Sequence, residues 1–395
     1  MNDSRNRWPM AVHTASLVVF IAASTAPTPL YRIYQATWQF TPTLLTVIFA
    51  VYAFALLMAL LFAGRLSDHL GRKPVIAGAI ALDIVAMLVF LDASSPGWLV
   101  AARVLQGIAT GIGMSTLAAA ILDLDRQRGA TVNSFAPMIG LGVGALGSTA
   151  LVVLAPAPLR TVFIVLIALL VVAAMLTRGA PETATPKPGA LASLRPHISV
   201  PARASAAFRA VTPLNGATWM LGGFYLSLMP SLVAKTTHST SPWTGGLVVT
   251  ALMVSGAFAV LQGMNHSAMR SLRQGAIALA GGLVLVLIGA NVGSGTFLLI
   301  ASIVAGAGFG ASFLGAVRSI VPLVEPHERS ALMAAFYIQS YLSFSVPTIA
   351  VGYLAQQQGL LVAANVYGAI IVVLALAALA WILARARHVQ AAALS

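Results

Sequence analysis

The chain has 395 residues, of which 59% are hydrophobic and only 8% are charged. A soluble domain carries roughly 25% charged residues, so this chain cannot cover a water-facing surface and is expected to cross a membrane many times. It has no cysteine, which excludes disulfides and thiolate metal sites, and its net charge of +13 raises a nucleic-acid reading that only the distribution of charge can answer.

In chain order, apolar runs fall at 8–30, 43–63, 74–91, 97–121, 130–155 and 158–178. A second set falls at 211–234, 243–264, 273–291, 294–318, 330–354 and 359–385. At about 1.5 Å per residue, each can cross a hydrocarbon core about 30 Å thick. The prediction is an all-α integral membrane protein with twelve transmembrane helices. Arg5 and Arg7 before the first run imitate a signal peptide, but the run is too long for a signal core and lacks a small-residue cleavage site, so it is read as the first span. Between the sets lies 179–210, with Pro181, Pro186, Pro188, Pro196 and Pro201, read as a cytoplasmic linker with a short surface helix around 202–209. The expected organisation is a six-helix half over 1–178, the linker over 179–210, and a second six-helix half over 211–395. About eighteen of the 22 Lys and Arg residues fall on one set of alternate loops and tails, while Arg32, Arg160 and Lys235 fall on the other and Arg103 lies within a span. That asymmetry places both termini in the cytoplasm, and the basicity orients the protein without implying a nucleic-acid partner.

The most informative stretch joins the second and third runs: Gly64-Arg65-Leu66-Ser67-Asp68-His69-Leu70-Gly71-Arg72-Lys73, with Pro74 next. Gly64 lets a helix end approach a neighbour, and Gly71 allows a tight reversal before Pro74 opens the next helix. Asp68 can face the positive end of a packed helix, and Arg72 and Lys73 supply cations, with Arg72 able to reach Asp123 or Asp125 at the inner end of the fourth span. Such a cluster can latch one conformation and open in the other. Weak internal similarity links the halves. Gln106-Gly107-Ile108-Ala109-Thr110-Gly111-Ile112-Gly113, running on to Asp125-Arg126-Gln127-Arg128, has a counterpart in Gly306-Ala307-Gly308-Phe309-Gly310, running on to Pro326-His327-Glu328-Arg329. The second copy of the charged loop, Gly263 to Arg270, has Ser267 where the acid would sit.

The pattern Gly-x-x-x-Asp-x-x-Gly-Arg-Lys resembles the signature loop of the major facilitator superfamily. Leu99-x-x-x-Arg103-x-x-Gln106-Gly107 is similar to a second motif of that superfamily, whose arginine sits near the central cavity and is associated with proton coupling. Gly140-Leu141-Gly142-Val143-Gly144-Ala145-Leu146-Gly147 resembles the glycine-rich motif of bacterial drug:proton antiporters, with Ala145 standing where that branch has a proline. The resemblance implies two pseudo-symmetric halves with a substrate site at their interface. It also implies that Gly140, Gly142, Gly144 and Gly147 let helices slide or bend at that interface. Asp83 is the one acid deep within a span; it is either a proton carrier or a structural ion-pair partner of Arg103. The spans that the resemblance assigns to the cavity carry Tyr31, Arg32, Tyr52, Met114, Trp219, Tyr225, Phe309, Phe313, Tyr337, Gln339 and Tyr341. Aromatic and Met surfaces with few fixed charges suit amphipathic or weakly polar solutes, while Arg103 and Arg32 leave an anion open.

The seven histidines have no metal-ligand spacing, no nucleophile motif has an acid–base pair, and no Walker-type loop appears. No enzyme activity, metal or cofactor is expected; the proton gradient would drive the protein. The sequence is therefore read as a secondary transporter working by alternating access: proton-coupled export of small amphipathic or drug-like molecules across a bacterial-type inner membrane, functional as a monomer. Uptake of a small metabolite or organic anion is the alternative with the same fold. A non-transporting receptor or scaffold is the rival from another class, though a rigid scaffold would need neither a latch nor a glycine-rich segment.

Overall fold

The computed structural model describes residues 6–325 and 327–394, with side chains up to 384; Arg5 and Pro326 lie outside the described residues. The helices of the first part are α1 (Arg7–Thr25), α2 (Tyr31–Trp38), α3 (Pro42–Ala63), α4 (Ser67–Leu70), α5 (Arg72–Leu91), α6 (Pro96–Leu124), α7 (Arg126–Leu154) and α8 (Pro158–Gly179). They are followed by α9 (Ala190–Ser193), α10 (Ala202–Ser227), α11 (Met229–Thr237), α12 (Pro242–Gly263), α13 (Ala268–Val292), α14 (Gly295–Ile320), α15 (Arg329–Gln358) and α16 (Leu360–Leu394).

Local chemistry sets most boundaries. Pro42, Pro96 and Pro158 open α3, α6 and α8 at positions where a missing N–H costs nothing. Thr41, Ser267 and Ser294 each cap the following helix by accepting a backbone N–H. The first apolar run does not continue as one helix: turns at 26–30, where Pro27 and Pro29 withhold backbone donors, separate α1 from α2. In the linker, the expected surface helix at 202–209 is instead the opening of α10, which runs unbroken to Ser227. Pro230 then contributes to a 63° bend between α10 and α11.

Among the described residues, ten helices are long and apolar enough to cross a membrane, and the bent α10–α11 pair makes eleven. Helix α15 has 30 residues, ample length, but its serines, tyrosines and Gln339 dilute its apolarity; with it the long helical segments number twelve. This is a multi-pass all-α membrane protein.

The chain divides into two compact units, one of Met1–His197 with Ser241–Thr250, the other of Ile198–Thr240 with Ala251–Ser395. Within the first, α1 packs on α6, α7 and α8, and α5 packs on α6 and α8. Within the second, α10 packs on α14, α15 and α16, and α13 packs on α14 and α16. Each unit therefore repeats one scheme: its first span lies against its fourth, fifth and sixth, and its third against its fourth and sixth.

Candidate functional site

In the first unit the charged loop builds a compact ionic cluster. Gly71, with φ +94°, takes the reversal that places Arg72 at the start of α5. Arg72 then donates through Nη1 to Asp68 (2.5 Å) and to Ser67 Oγ (2.7 Å), and through Nε to Asp123 at the end of α6 (3.0 Å). The guanidinium thus ties the α4–α5 turn to α6 with charge-assisted bonds. Asp125 takes no part: it accepts from Gln127 N and Arg128 N at 3.0 and 2.9 Å, as the N-cap of α7. Two acids stand two residues apart, and the helix start claims the second. Around Gly64 the nearest atoms belong to Leu60 of its own helix rather than to a neighbour.

A group unforeseen from sequence completes the cluster. Glu182 of the linker accepts from Arg72 N (2.8 Å) and Lys73 N (3.0 Å), capping α5 from 110 residues away. It also accepts from Thr183 N and Ala184 N. Partial burial pushes the Glu182 carboxyl up, but the four backbone N–H donors outweigh it and hold it below the usual range. A Cβ on Gly71 would lie 2.9 Å from Glu182 Oε2, a second reason for glycine there. The linker is fastened further by Lys187 N to His69 O (3.0 Å) and Thr183 Oγ1 to Asp123 (3.1 Å), and Lys73 Nζ donates to Arg178 O in the last turn of α8 (2.8 Å). An acid in a proline-rich linker was the available signal.

The buried Arg103 forms the second constellation. Arg103 and Gln106 are wholly enclosed. Because α1 stops at Thr25, its last carbonyls lack helical partners. Arg103 Nη1 donates to Ser24 O (2.8 Å) and Gln106 Oε1 (2.6 Å), while Gln106 Nε2 donates to Ala23 O (2.9 Å). Nε donates to Tyr31 Oη (2.7 Å), and the guanidinium lies 4.9 Å from the Tyr52 ring centroid. The cation is thus held by a helix C-terminus and aromatic faces, and no ion pair joins it to Asp83. Asp83 is wholly buried in α5, and neither of its oxygens has a hydrogen-bond partner among the described residues.

The other predicted positions spread out. Tyr52 serves Arg103; Arg32 and Met114 are half-buried on α2 and α6. Gly140 and Gly144 meet α1 of the same unit: a Cβ on Gly144 would lie 2.2 Å from Ala22 O, whereas Gly147 faces open space. Gly142 is buried.

In the second unit, Trp219 gathers Tyr341, Phe344 and Phe313 at centroid distances of 4.8, 5.9 and 6.5 Å, and Tyr337 lies 6.2 Å from Tyr341. Beside them Asn215 Nδ2 donates to Gln339 Oε1 (2.5 Å) and Ser340 Oγ (2.8 Å), and Gln339 Nε2 to Ser343 Oγ (3.1 Å). Asn215 was missed, although it is the one carboxamide in the run 211–234. Tyr225, by contrast, is wholly buried with its hydroxyl 2.7 Å from Ser302, so it presents no face to a ligand. The second-half loop has its own fasteners: Ser267 caps α13, and Arg318 Nη1 donates to Gly263 O and His266 O. Arg203 pairs with Glu325 and Glu328, another cluster not foreseen.

A family model described as Major Facilitator Superfamily matches residues 13–285. A stretch of 91 residues is 36% identical to multidrug resistance protein MdtL of Klebsiella pneumoniae, covering 23% of this chain and 23% of that protein. A stretch of 93 residues is 43% identical to MdtL of Salmonella choleraesuis, again covering 23% of each. The chain thus matches under a quarter of the length of these curated relatives. Among solved structures, the nucleoside transporter NupG is similar at TM-score 0.72 and 14% identity, over 95% of this chain and 99% of that one. The human organic anion transporter MFSD10 is similar at TM-score 0.68 and 16% identity, over 94% and 99%. The xylose transporter XylE from E. coli is similar at TM-score 0.72 and 14% identity, over 94% and 97%. At these identities the structures speak to the fold alone.

Proposed function

The chain belongs to the Major Facilitator Superfamily, and from that premise we propose that it is a secondary transporter exporting small amphipathic, drug-like molecules in exchange for protons. It works by alternating access across a bacterial-type inner membrane, with both termini in the cytoplasm and the monomer as the working unit. The observation that carries the proton-coupled reading is Asp83, an acid enclosed in a membrane helix with neither oxygen partnered. An intramembrane acid of this kind is expensive to keep and marks a proton path. Local identity with the MdtL proteins supports the choice of cargo. Arg103, pinned to the end of α1, is the electrostatic partner that senses the Asp83 proton through Tyr52, whose ring it faces. The Arg72 cluster and the Glu182 strap act as the latch of one conformation, because bonds made in one state and broken in the other bias the balance between them.

The test uses purified protein in liposomes loaded with a pH-sensitive dye and a panel of lipophilic cations, neutral drugs and organic anions. Proton flux that begins on adding a neutral or cationic drug is the expected result. Substrate movement without proton flux would overturn coupling, and a response confined to organic anions would overturn the cargo class.

A further inference from the structure

Asn215 and Trp219 stand four residues apart on α10 and so share one face of the helix. Asn215 is wholly buried; its amide nitrogen is engaged by Gln339 and Ser340, but its Oδ1 has no partner among the described residues. Trp219 Nε1, also enclosed, has none either. One helix face thus holds an unused acceptor and an unused donor, and the rings of Tyr341 and Phe344 pack against Trp219. Buried polar groups are ordinarily paired, and each exception asks for a reason. No formal charge stands nearby in sequence: α10 beyond Arg209, α14 before Arg318 and α15 beyond Arg329 contain no Asp, Glu, Lys or Arg.

Taking export of small amphipathic molecules as its premise, we propose that this patch of the second unit is a recognition site for neutral, planar ring amides and related heteroaromatic rings. The ligand's N–H donates to Asn215 Oδ1 and its C=O accepts from Trp219 Nε1 at the indole edge, while its flat face packs on the Tyr341 ring. A cis ring amide carries its donor and acceptor side by side on one edge. Gln339 and Ser343 hold the Asn215 carboxamide in the orientation that leaves its oxygen free. With the rings closed both atoms are covered, so binding requires them to part. A cation could stack on the same rings, but it would leave Asn215 and Trp219 no better satisfied, and no acid stands on these stretches to neutralise it.

The test is equilibrium dialysis of the purified full-length protein in detergent against three probes of one size: 2-quinolinone, its N-methyl derivative and the N-methylquinolinium cation. We expect 2-quinolinone to bind at least about tenfold more tightly than either other probe, because a site built to make a hydrogen bond rejects the analogue lacking it. Asn215→Leu brings 2-quinolinone and its N-methyl derivative to parity. Trp219→Phe keeps a ring but removes the N–H, and weakens both. Parity of the two neutral probes on the wild-type protein, tightest binding by the cation, or no binding of any probe up to millimolar concentration would overturn the proposal. The wild-type ranking decides the matter even where a variant does not fold. Correct ranking in a protein that moves no protons would overturn the proton-coupled reading and leave this site standing; proton-coupled drug flux with the wrong ranking would do the reverse.

Discussion

At Arg103 a cation is kept inside a membrane helix without an acid, because α1 ends where its loose carbonyls and Gln106 can surround the guanidinium. A lysine is a compact point charge and cannot reach Ser24 O, Gln106 and Tyr31 together. Arg103→Lys should therefore destabilise the protein, at about 1–3 kcal/mol for each buried group left unpaired, and lower its unfolding temperature in detergent. An unchanged unfolding temperature would show that the network bears no weight. Asp83→Asn preserves shape but removes the proton site; it should abolish substrate-dependent proton flux while substrate still equilibrates down its gradient. Normal pH-dependent flux in that variant would exclude Asp83 as the carrier. Both residues were legible as lone charges in apolar runs. Their relationship was not, because the sequence invites pairing an acid with a base, whereas the partners of Arg103 are the Ser24 carbonyl, Gln106 Oε1 and Tyr31 Oη, none of them charged.

Between elements, the docking of the linker on α5 depends on Glu182. Its carboxyl is held below the usual range in the folded protein, so the stabilisation it gives is complete above the ordinary glutamate value, roughly 4.3. That stabilisation is lost as the pH falls through its own lower value. Glu182→Ala should speed amide exchange at Arg72 and Lys73 at neutral pH and remove any acid-induced release of the linker; exchange unchanged from wild type would dismiss the strap. The same scale gives a matched pair in α7. Gly144→Ala forces a Cβ onto Ala22 O and should cost about 1–3 kcal/mol. Gly147→Ala meets open space and should be neutral or stabilising by up to about 1 kcal/mol. Equal effects in thermal unfolding would contradict the α1–α7 packing. The charged loop was readable because its residues stand out against apolar flanks. Glu182 was not, since its partners are backbone N–H groups 110 residues away. Asp125 was misassigned to the latch because neighbouring acids look alike in sequence, and only the start of α7 distinguishes them.

Over the whole molecule, the repetition of span contacts in each unit follows from the apolar runs and their two sets of six. Those runs were legible because each is long; α15 is among the more polar of the long helices, and its polar side chains include Gln339 and Ser340 beside Asn215. The proposed orientation can be read directly, since a chain without cysteine allows single-cysteine labelling. In intact cells Thr185→Cys should resist an impermeant thiol reagent and Arg160→Cys should react; the reverse pattern would invert the topology. The central claim is energetic, and it is tested most directly by reconstituting the protein and imposing a proton gradient on liposomes containing a panel drug that moves. The account predicts accumulation of the drug against its own gradient, abolished by a protonophore and by Asp83→Asn. Equilibration to equal concentrations on both sides, indifferent to the protonophore, would contradict it.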